Sequence, residues 1–299
     1  MPSVFGHELD SELPLPRARA APGPRGVIRI RRGPDELLDE PATITALDHH
    51  TGPDGAPVLL AVGRSAASDA YLLGCSVTGG YRVVPEALDV LVAPAGAPAA
   101  WEHRLLAVAV PVMLAQAGDL ALHAAVIGRR DRAVLFCGPP ARGKSSLSLA
   151  YARLGLPVLS EDGAILTPGP EREWLVWPGA AGARIRPEAG SPKRVVDLPG
   201  REPGMMPAAA VILLEPRGGD GTLAGMQRAQ ALVELSPHLL HAGGRDPAAA
   251  AFARLAGLLG TVPAFRVSLP DDLAALPATA AAMVSELDRI VAGRPKGVR

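Results

Sequence analysis

The residues best suited to chemistry lie in the stretch GPPARGKSS. It matches the phosphate-binding pattern G-x-x-x-x-G-K-[ST], with Gly138, Gly143, Lys144 and Ser145 at the four fixed positions. Glycines let backbone N–H groups surround a triphosphate, the lysine reaches the outer phosphates, and the hydroxyl is suited to bind magnesium. The predicted nucleotide-binding residues are Gly138, Pro139, Pro140, Ala141, Arg142, Gly143, Lys144, Ser145 and Ser146.

Residue usage supports this interpretation of the loop. Only three of the 30 basic residues are lysines, so the remaining 27 are arginines, and one lysine stands where the motif needs a compact ammonium. The bulky Pro139, Pro140 and Arg142 are less usual in such loops than small residues. They leave open the alternative of a glycine-rich turn that holds no ligand.

Two adjacent acidic residues follow the loop and its predicted helix in the sequence. The run LPVLSEDGAILTP places Glu161 and Asp162 at the end of a short apolar strand. If that strand lies beside the strand that enters the loop, the carboxylates face the phosphates, where an acid that handles magnesium belongs. We expect Ser145 and Asp162 to bind the ion.

The elements that must position these residues are a strand, a helix and a hairpin. The apolar run AVLFC leads into the loop, and the amphipathic run SLSLAYARLG leads out of it. The preceding run DLALHAAVIG, which contains His123, is joined to AVLFC by a short polar turn, which predicts a hairpin. Further helices are predicted over 99–118, kinked at Pro111, and over 227–241, with His238 and His241 on the surface of the second.

Composition divides the chain into four parts. Residues 1–25, rich in Pro, Arg and Ala, predict a flexible tail, and the short alternating runs of 26–98 predict a small β-rich domain. Residues 99–292 predict an α/β domain with a mixed sheet and flanking helices. The ending, 293–299, is a basic tail.

The composition also excludes several classes of partner. Lys plus Arg equals Asp plus Glu at 30 each, and only 3% of residues are aromatic, so nucleic acid is not an expected partner. The longest apolar run, 105–117, is too short to cross a membrane. Cys75 and Cys137 both lie in apolar runs and are expected to be buried free thiols, so we expect a cytoplasmic protein.

Three motifs together resemble a known family. LHAAV around His123, the phosphate-binding loop and LSEDG are similar to the kinase domain of HPr kinase/phosphorylase, and closer still to the HPr-kinase-like enzymes of lasso-peptide gene clusters. The resemblance covers 99–292, including WEHRLLAVAVPVML and VPAFRVSLPDDLAALP. It implies an HPr-kinase-like P-loop fold, use of ATP and Mg²⁺, transfer of a phosphoryl group to a seryl hydroxyl of a peptide or protein, and assembly into a homo-oligomer of unspecified size.

The same resemblance implies roles for three site residues. His123 supports the catalytic carboxylate, while one of Glu161 and Asp162 is the general base and the other helps to hold magnesium. The family usually has Asp-Asp here, and the extra methylene of Glu161 moves its carboxylate by about 1.5 Å, a displacement that can cost about 100-fold in rate. Either the site has adjusted to Glu161, or Asp162 alone is the base and Glu161 is a metal ligand or supports one.

Three functions compete at this point. A peptide or protein serine kinase uses Lys144 and the acid pair on a seryl acceptor, and a small-molecule kinase would use the same residues on another hydroxyl. The third function is a nucleotide-binding regulator without transfer chemistry, motivated by Glu161 and by the two prolines of the loop. Screening acceptors separates these functions.

Overall fold

A computed structural model describes residues 1–19, 24–51, 57–185, 194–196, 203–272 and 274–293. The chain forms two compact units. Unit 1 contains residues 1–121, 184–195 and 240–251, and unit 2 contains residues 122–183, 196–239 and 252–299. The predicted boundary between 98 and 99 therefore differs from the observed division, since unit 1 also includes the helical segment that follows residue 98. The basic ending lies outside the described residues from 294 onward.

Unit 1 is built on an eight-stranded sheet with the order β1-β2-β3-β8-β7-β6-β5-β4. Its strands are β1 (Ser3–Val4), β2 (His7–Ser11), β3 (Val27–Arg32), β4 (Ala42–Thr51), β5 (Pro57–Ser65), β6 (Tyr71–Cys75), β7 (Gly79–Val84) and β8 (Asp89–Pro94). The VIRIRR alternation explains β3, because Ile28 and Ile30 are buried while Arg29 points outward. The β-rich character expected for this region is present.

The first residues are not a tail. Strand β1 pairs with β2, and β2 pairs in parallel with β3, with Leu9 opposite Ile28. Phe5 and Leu9 are almost completely buried in unit 1. The short alternation HELDS is the sequence pattern that corresponds to β2. The Pro, Arg and Ala residues around it indicated a flexible tail more strongly.

The helix predicted over 99–118 is confirmed, with an irregular centre. It comprises α1 (Pro98–Arg104), a π-helical turn (Leu105–Ala109) and α2 (Val110–Gln116). Pro111 is the second residue of α2, so the carbonyl four residues before it, that of Ala107, lies in the π turn. In a regular α-helix, a proline ring clashes with the carbonyl four residues earlier. The wider π turn leaves room for the ring of Pro111. The predicted irregularity at Pro111 thus takes the form of a π turn.

Unit 2 is an α/β unit, as predicted. The remaining elements of the chain are β9 (Leu120–Leu122), β10 (Ala124–Arg129), β11 (Arg132–Cys137), α3 (Lys144–Arg153), β12 (Val158–Ser160), β13 (Ala164–Pro168), β14 (Trp174–Trp177), β15 (Ala183–Ile185), β16 (Arg194–Val196), β17 (Met206–Leu214), β18 (Ala224–Gly225), α4 (Arg228–Leu235), α5 (Arg245–Thr261), β19 (Ala264–Val267) and α6 (Leu276–Ala292). The central order is β12-β10-β11-β17-β14-β13, and β19 pairs with β17.

Strand direction gathers the ends of four strands at one edge of this sheet. Strand β11 is parallel to β17, and β17 is parallel to β19. Strand β10 is antiparallel to both β11 and β12, so β12 runs in the same direction as β11. The carboxyl ends of these strands therefore share an edge with the start of β10, the usual position of ligand sites in open α/β sheets.

The predicted hairpin is confirmed. Ala124 of β10 lies opposite Cys137 of β11, and Arg130 and Asp131 form the connection with positive φ values of 50° and 60°. Two successive positive φ values are typical of the type I′ turn that joins tightly paired strands. Asp288 of α6 binds the guanidinium groups at this turn, with an Oδ1 to Arg130 Nε distance of 2.7 Å. The hairpin places His123 next to the end of β11.

Helices α3 and α6 cover one face of the sheet. Their apolar side chains share one core with β10, β11 and β17. Tyr151 of α3 is fully buried, stacks at 5.7 Å from Phe136 and contacts Met283 of α6. Because α3 is held by this packing, its first turn is fixed relative to the end of β11.

Other expectations about the chain can be checked directly. Cys75 and Cys137 are both buried and free, as expected, and burial raises the pKa of Cys137 to about 12, which keeps its thiol neutral. Within the described ranges, no helix is long and apolar enough to cross a membrane.

Candidate active site

The phosphate-binding loop has a conformation that requires its two fixed glycines. Gly138 has φ +156° and Gly143 has φ +104°. A Cβ on Gly138 would lie 3.0 Å from Cβ of Leu214, and one on Gly143 would lie 2.8 Å from Nη2 of Arg217. Both positions combine unusual backbone geometry with close neighbours, so other side chains would strain or open the loop.

The donors of the loop lie in its second half. Pro139 and Pro140 have no amide hydrogen, which removes two donors from the first half. Helix α3 begins at Lys144, directly after Gly143, so its free N–H groups point toward the loop. Ala141 has φ +66°, which completes the tight turn. The strand, loop and helix context predicted for anion binding is therefore present.

Lys144 is held inside the loop. Its side chain is buried, and Nζ donates hydrogen bonds to the carbonyl oxygens of Gly138 and Pro139, the latter at 3.3 Å. These bonds keep the ammonium at the mouth of the loop. It lies where it can neutralise the outer phosphates of a nucleotide.

Glu161 approaches the loop through Ser145. It follows β12 and is 3% exposed, and Ser145 Oγ donates a hydrogen bond to its Oε1. Strand β12 does not lie directly beside the P-loop strand, because β10, the hairpin partner of β11, lies between them. Since β12 and β11 run in the same direction, the acid still reaches the loop.

Asp162 is paired with His123. Nδ1 of His123 lies 2.9 Å from the carbonyl oxygen of Asp162 and 3.6 Å from its Oδ1. A carbonyl oxygen only accepts, so Nδ1 carries the proton in this contact, and Nε2 is the unprotonated nitrogen when the ring is neutral. The Asp162 side chain is 17% exposed, more open than the buried Glu161.

The two adjacent acids thus occupy different environments. Glu161 binds the hydroxyl expected to coordinate magnesium, whereas Asp162 is adjacent to a histidine and partly open. The hydroxyl and carboxylate oxygens around Ser145 are ligands that magnesium prefers. In the described part of the chain, no group of three or more His, Cys, Asp or Glu side chains could hold a metal ion. Magnesium at a nucleotide needs fewer, because phosphates and water complete its shell.

His238 was expected on a helix surface, and this expectation is wrong. Helix α4 ends at Leu235, and a 3₁₀ turn, Ser236–His238, follows, because Pro237 lacks an amide hydrogen and disfavours helix at the residue before it. His238 is 8% exposed, and its carbonyl oxygen accepts a hydrogen bond of 2.7 Å from the His123 amide. Burial, then the charge of Lys144, then His123 lower its pKa to about 4.

Arg217 is a second residue at the site that the sequence did not single out. It follows β17, whose end lies beside the end of β11. Its guanidinium covers Gly143, and Nη1 lies 3.4 Å from the carbonyl oxygen of Pro270. The sequence shows that EPRGG directly follows a long apolar run, but the parallel pairing of β17 with β11 is seen only in the structure.

The sequence offers four further basic residues, Arg184, Arg186, Lys193 and Arg194, either as contacts to phosphates or an acidic peptide end or as solvated surface residues. Arg186 and Lys193 lie outside the described residues. Arg184 and Arg194 lie on β15 and β16, where only the backbone is described.

Comparisons with known proteins show structural similarity but no sequence match. No family model matches the sequence, and no curated protein matches it. Among solved structures, the chain is similar to the HPr(Ser) kinase/phosphatase from Coxiella burnetii, with a TM-score of 0.33 and 14% identity over 56% of this chain and 97% of that chain.

Proposed function

We propose that this protein is an ATP-dependent kinase that transfers the γ-phosphoryl group to a seryl hydroxyl of a peptide or protein. One observation carries the proposal. At a single sheet edge, a phosphate-binding loop meets two acids with separate partners, Ser145 with Glu161 and His123 with Asp162. This arrangement provides a magnesium-binding pair and a proton acceptor, which a kinase needs beyond nucleotide binding.

Binding of the nucleotide follows from the loop. The amides at the start of α3 and the ammonium of Lys144 bind and neutralise the β- and γ-phosphates. Ser145 and Glu161 would hold Mg²⁺, which would neutralise phosphate charge. The proposal gives Glu161, in place of the Asp162 expected from the sequence, the role of a metal ligand or a support for one.

The transfer step assigns Asp162 as general base. Its carboxylate accepts the proton of the seryl hydroxyl while the hydroxyl oxygen forms a bond to the γ-phosphorus. The bond from that phosphorus to the β,γ-bridging oxygen breaks, and ADP leaves with the electron pair. The Nδ1–H of His123 orients Asp162 through the backbone carbonyl and the nearby carboxylate.

The acceptor class rests on the sequence resemblance. The motifs around His123, Lys144 and Asp162 are similar to those of kinases that act on a seryl group, including the lasso-peptide precursor kinases. A precursor peptide of that type is accordingly the proposed partner, and the cytoplasm is the proposed site of action. The contact between Ser145 and Glu161 argues against a non-catalytic regulator, because the site accommodates the longer acid.

The test uses ATP, Mg²⁺ and an acceptor panel. Each seryl peptide is paired with its Ser→Ala variant, and small alcohols are included as separate acceptors. We expect a mass gain of one phosphate on a seryl peptide, absent from the Ser→Ala variant and abolished by Lys144→Ala. Transfer only to small alcohols would support a small-molecule kinase, while no transfer to any acceptor would contradict kinase function.

A further inference from the structure

The guanidinium of Arg217 has no role in the mechanism above, although it lies against the phosphate-binding loop. A Cβ on Gly143 would lie 2.8 Å from its Nη2 and 3.6 Å from its Cζ. Gly143 immediately precedes Lys144, where α3 begins. The amides at the start of such a helix are those that bind phosphates, so the guanidinium lies beside the expected position of the phosphates.

The backbone around Arg217 is held in place on both sides. Strand β17 ends three residues earlier, at Leu214, and pairs in parallel with β11 and β19. The amides of Gly218 and Gly219, which follow Arg217, both donate to the carbonyl oxygen of Leu269, at 2.9 and 3.3 Å. The side chain therefore extends from a supported segment at the same sheet edge as the phosphate-binding loop.

The charge of Arg217 is not paired with a carboxylate anywhere in the described ranges. Its hydrogen bonds there run from Nη1 to the carbonyl oxygens of Pro270 and Asp271, at the long distances of 3.4 and 3.5 Å. Glu215, two residues earlier, is paired with Arg266 instead, at 2.9 Å. Among the described residues, Nη2, the nitrogen nearest the loop, has no acceptor, so it is available to a ligand.

A guanidinium in this position matches what the loop lacks. Pro139 and Pro140 remove two amide donors from the first half of the loop. The N–H groups of a guanidinium fit phosphate oxygens in pairs, and these charge-assisted hydrogen bonds are stronger than bonds between neutral groups. Arg217 can therefore replace the donors that the two prolines remove.

We propose that the guanidinium of Arg217 donates hydrogen bonds to the phosphates of the bound nucleotide, which makes it the second phosphate-binding cation of the site beside Lys144. The inference rests on the nucleotide-binding part of the proposed function. It does not depend on which acceptor receives the phosphoryl group.

The experiment measures the affinities of MgADP and of magnesium tripolyphosphate by titration calorimetry. Tripolyphosphate supplies phosphate groups without a base or a ribose. Arg217→Met removes the donors and the charge but keeps a long unbranched side chain, and we expect it to weaken both ligands about tenfold or more. Arg217→Lys keeps the charge without the planar fork, so it should weaken both ligands less than Arg217→Met does.

The matched control is Arg228→Met. Arg228 also lies against a glycine, with Nη2 3.2 Å from a Cβ on Gly260, and it also donates to a main-chain carbonyl oxygen, that of Ala256 at 2.8 Å. It begins α4 and is not part of the phosphate-binding loop, so its variant should bind both ligands as the wild type does. Thermal unfolding without ligand checks that each variant folds, and Arg217→Gln repeats the titrations if Arg217→Met does not fold.

Two results would overturn the inference. One is an unchanged affinity for both ligands in the folded Arg217 variant. The other is a loss for MgADP alone, which would place the guanidinium on the base or the ribose instead of on the phosphates.

The outcomes also separate this inference from the proposed function. Loss of affinity for both ligands in Arg217→Met, with no phosphate transfer by the wild type to any acceptor, would support the role of Arg217 and contradict the kinase. Transfer by the wild type with unchanged affinities in Arg217→Met would do the reverse. Failure of the wild type to bind either ligand would overturn both.

Discussion

Asp162 is proposed as the general base and Glu161 as part of the magnesium site. Substitutions of these two acids should therefore have different kinetic effects. Asp162→Asn keeps the size of the side chain but removes the proton acceptor. Glu161→Gln keeps an oxygen that can accept the Ser145 hydrogen bond but removes the negative charge. We expect the first variant to lower kcat and the second to weaken the response to magnesium.

The magnitudes follow from these positions. Loss of a general base costs about 100- to 10,000-fold in kcat, equivalent to about 3–5 kcal/mol of activation free energy. Because Asp162 lies beside His123 rather than inside the loop, the KM for ATP should change little. Loss of a residue that supports a metal ligand typically costs about 10- to 100-fold in metal affinity. The Glu161→Gln enzyme should therefore need about 10- to 100-fold more Mg²⁺ for half-maximal rate and should recover at saturating Mg²⁺.

The assay is a magnesium titration of initial transfer rates at saturating ATP and acceptor. Each variant is compared with the wild type, and MgADP affinity is measured as a check that the loop is intact. The reasoning would be refuted if Asp162→Asn recovered at high Mg²⁺ while Glu161→Gln showed an irreversible loss of kcat. That pattern would mean that Glu161 is the general base and that Asp162 supports the magnesium ion.

Three further predictions test the loop, the core and the pH response. Gly143→Ala should weaken nucleotide binding at least about tenfold, because alanine is strained at φ +104° inside the phosphate-binding loop, while Gly155→Ala, with a φ of +80° outside the loop, should not. Ile212→Ala should lower the free energy of unfolding by about 2–5 kcal/mol in denaturant titrations, since Ile212 is fully buried in the sheet of unit 2. Burial lowers the pKa of His7 from 6.5 to about 4, with the nearby Arg25 adding to the effect, so the unfolded chain binds more protons between these values. Stability should therefore fall by about 2 kcal/mol from pH 7 to pH 5, and His7→Phe should remove that part of the loss in denaturant titrations at both pH values.

Each of these has a contradicting result. Equal nucleotide affinities in the two glycine variants would mean that the backbone conformation at Gly143 is unimportant for nucleotide binding. A cost below about 1 kcal/mol for Ile212→Ala would contradict its place in a packed core. An unchanged pH response in His7→Phe would show that another group accounts for the loss.

The local features of the site could be predicted from the sequence. The glycine and lysine spacing identifies the loop because few backbones can surround phosphates, and the apolar runs on both sides identify its strand and helix. The hairpin that carries His123 was predictable from two apolar runs around a short turn. The sequence placed the two acids correctly at the end of β12. A short apolar run followed by polar residues has few interpretations other than a strand that ends in a loop.

The features that were missed depend on tertiary structure. The neighbour of β12 is decided by pairing across the whole sheet, and nothing in the run VLS specifies β10. His238 was placed on a helix surface because the apolar pattern was followed through Pro237, and its burial depends on contact with the segment at His123. Arg217 was missed because its position over Gly143 depends on the parallel pairing of β17 with β11.

The most direct test of the central claim is transfer from γ-labelled ATP to the peptides encoded by neighbouring genes. The account predicts label on a seryl residue of one such peptide, in an amount stoichiometric with ADP formed, and none with Lys144→Ala or with the Ser→Ala peptide. Tight binding of ATP without seryl-dependent transfer to any of these peptides would contradict it.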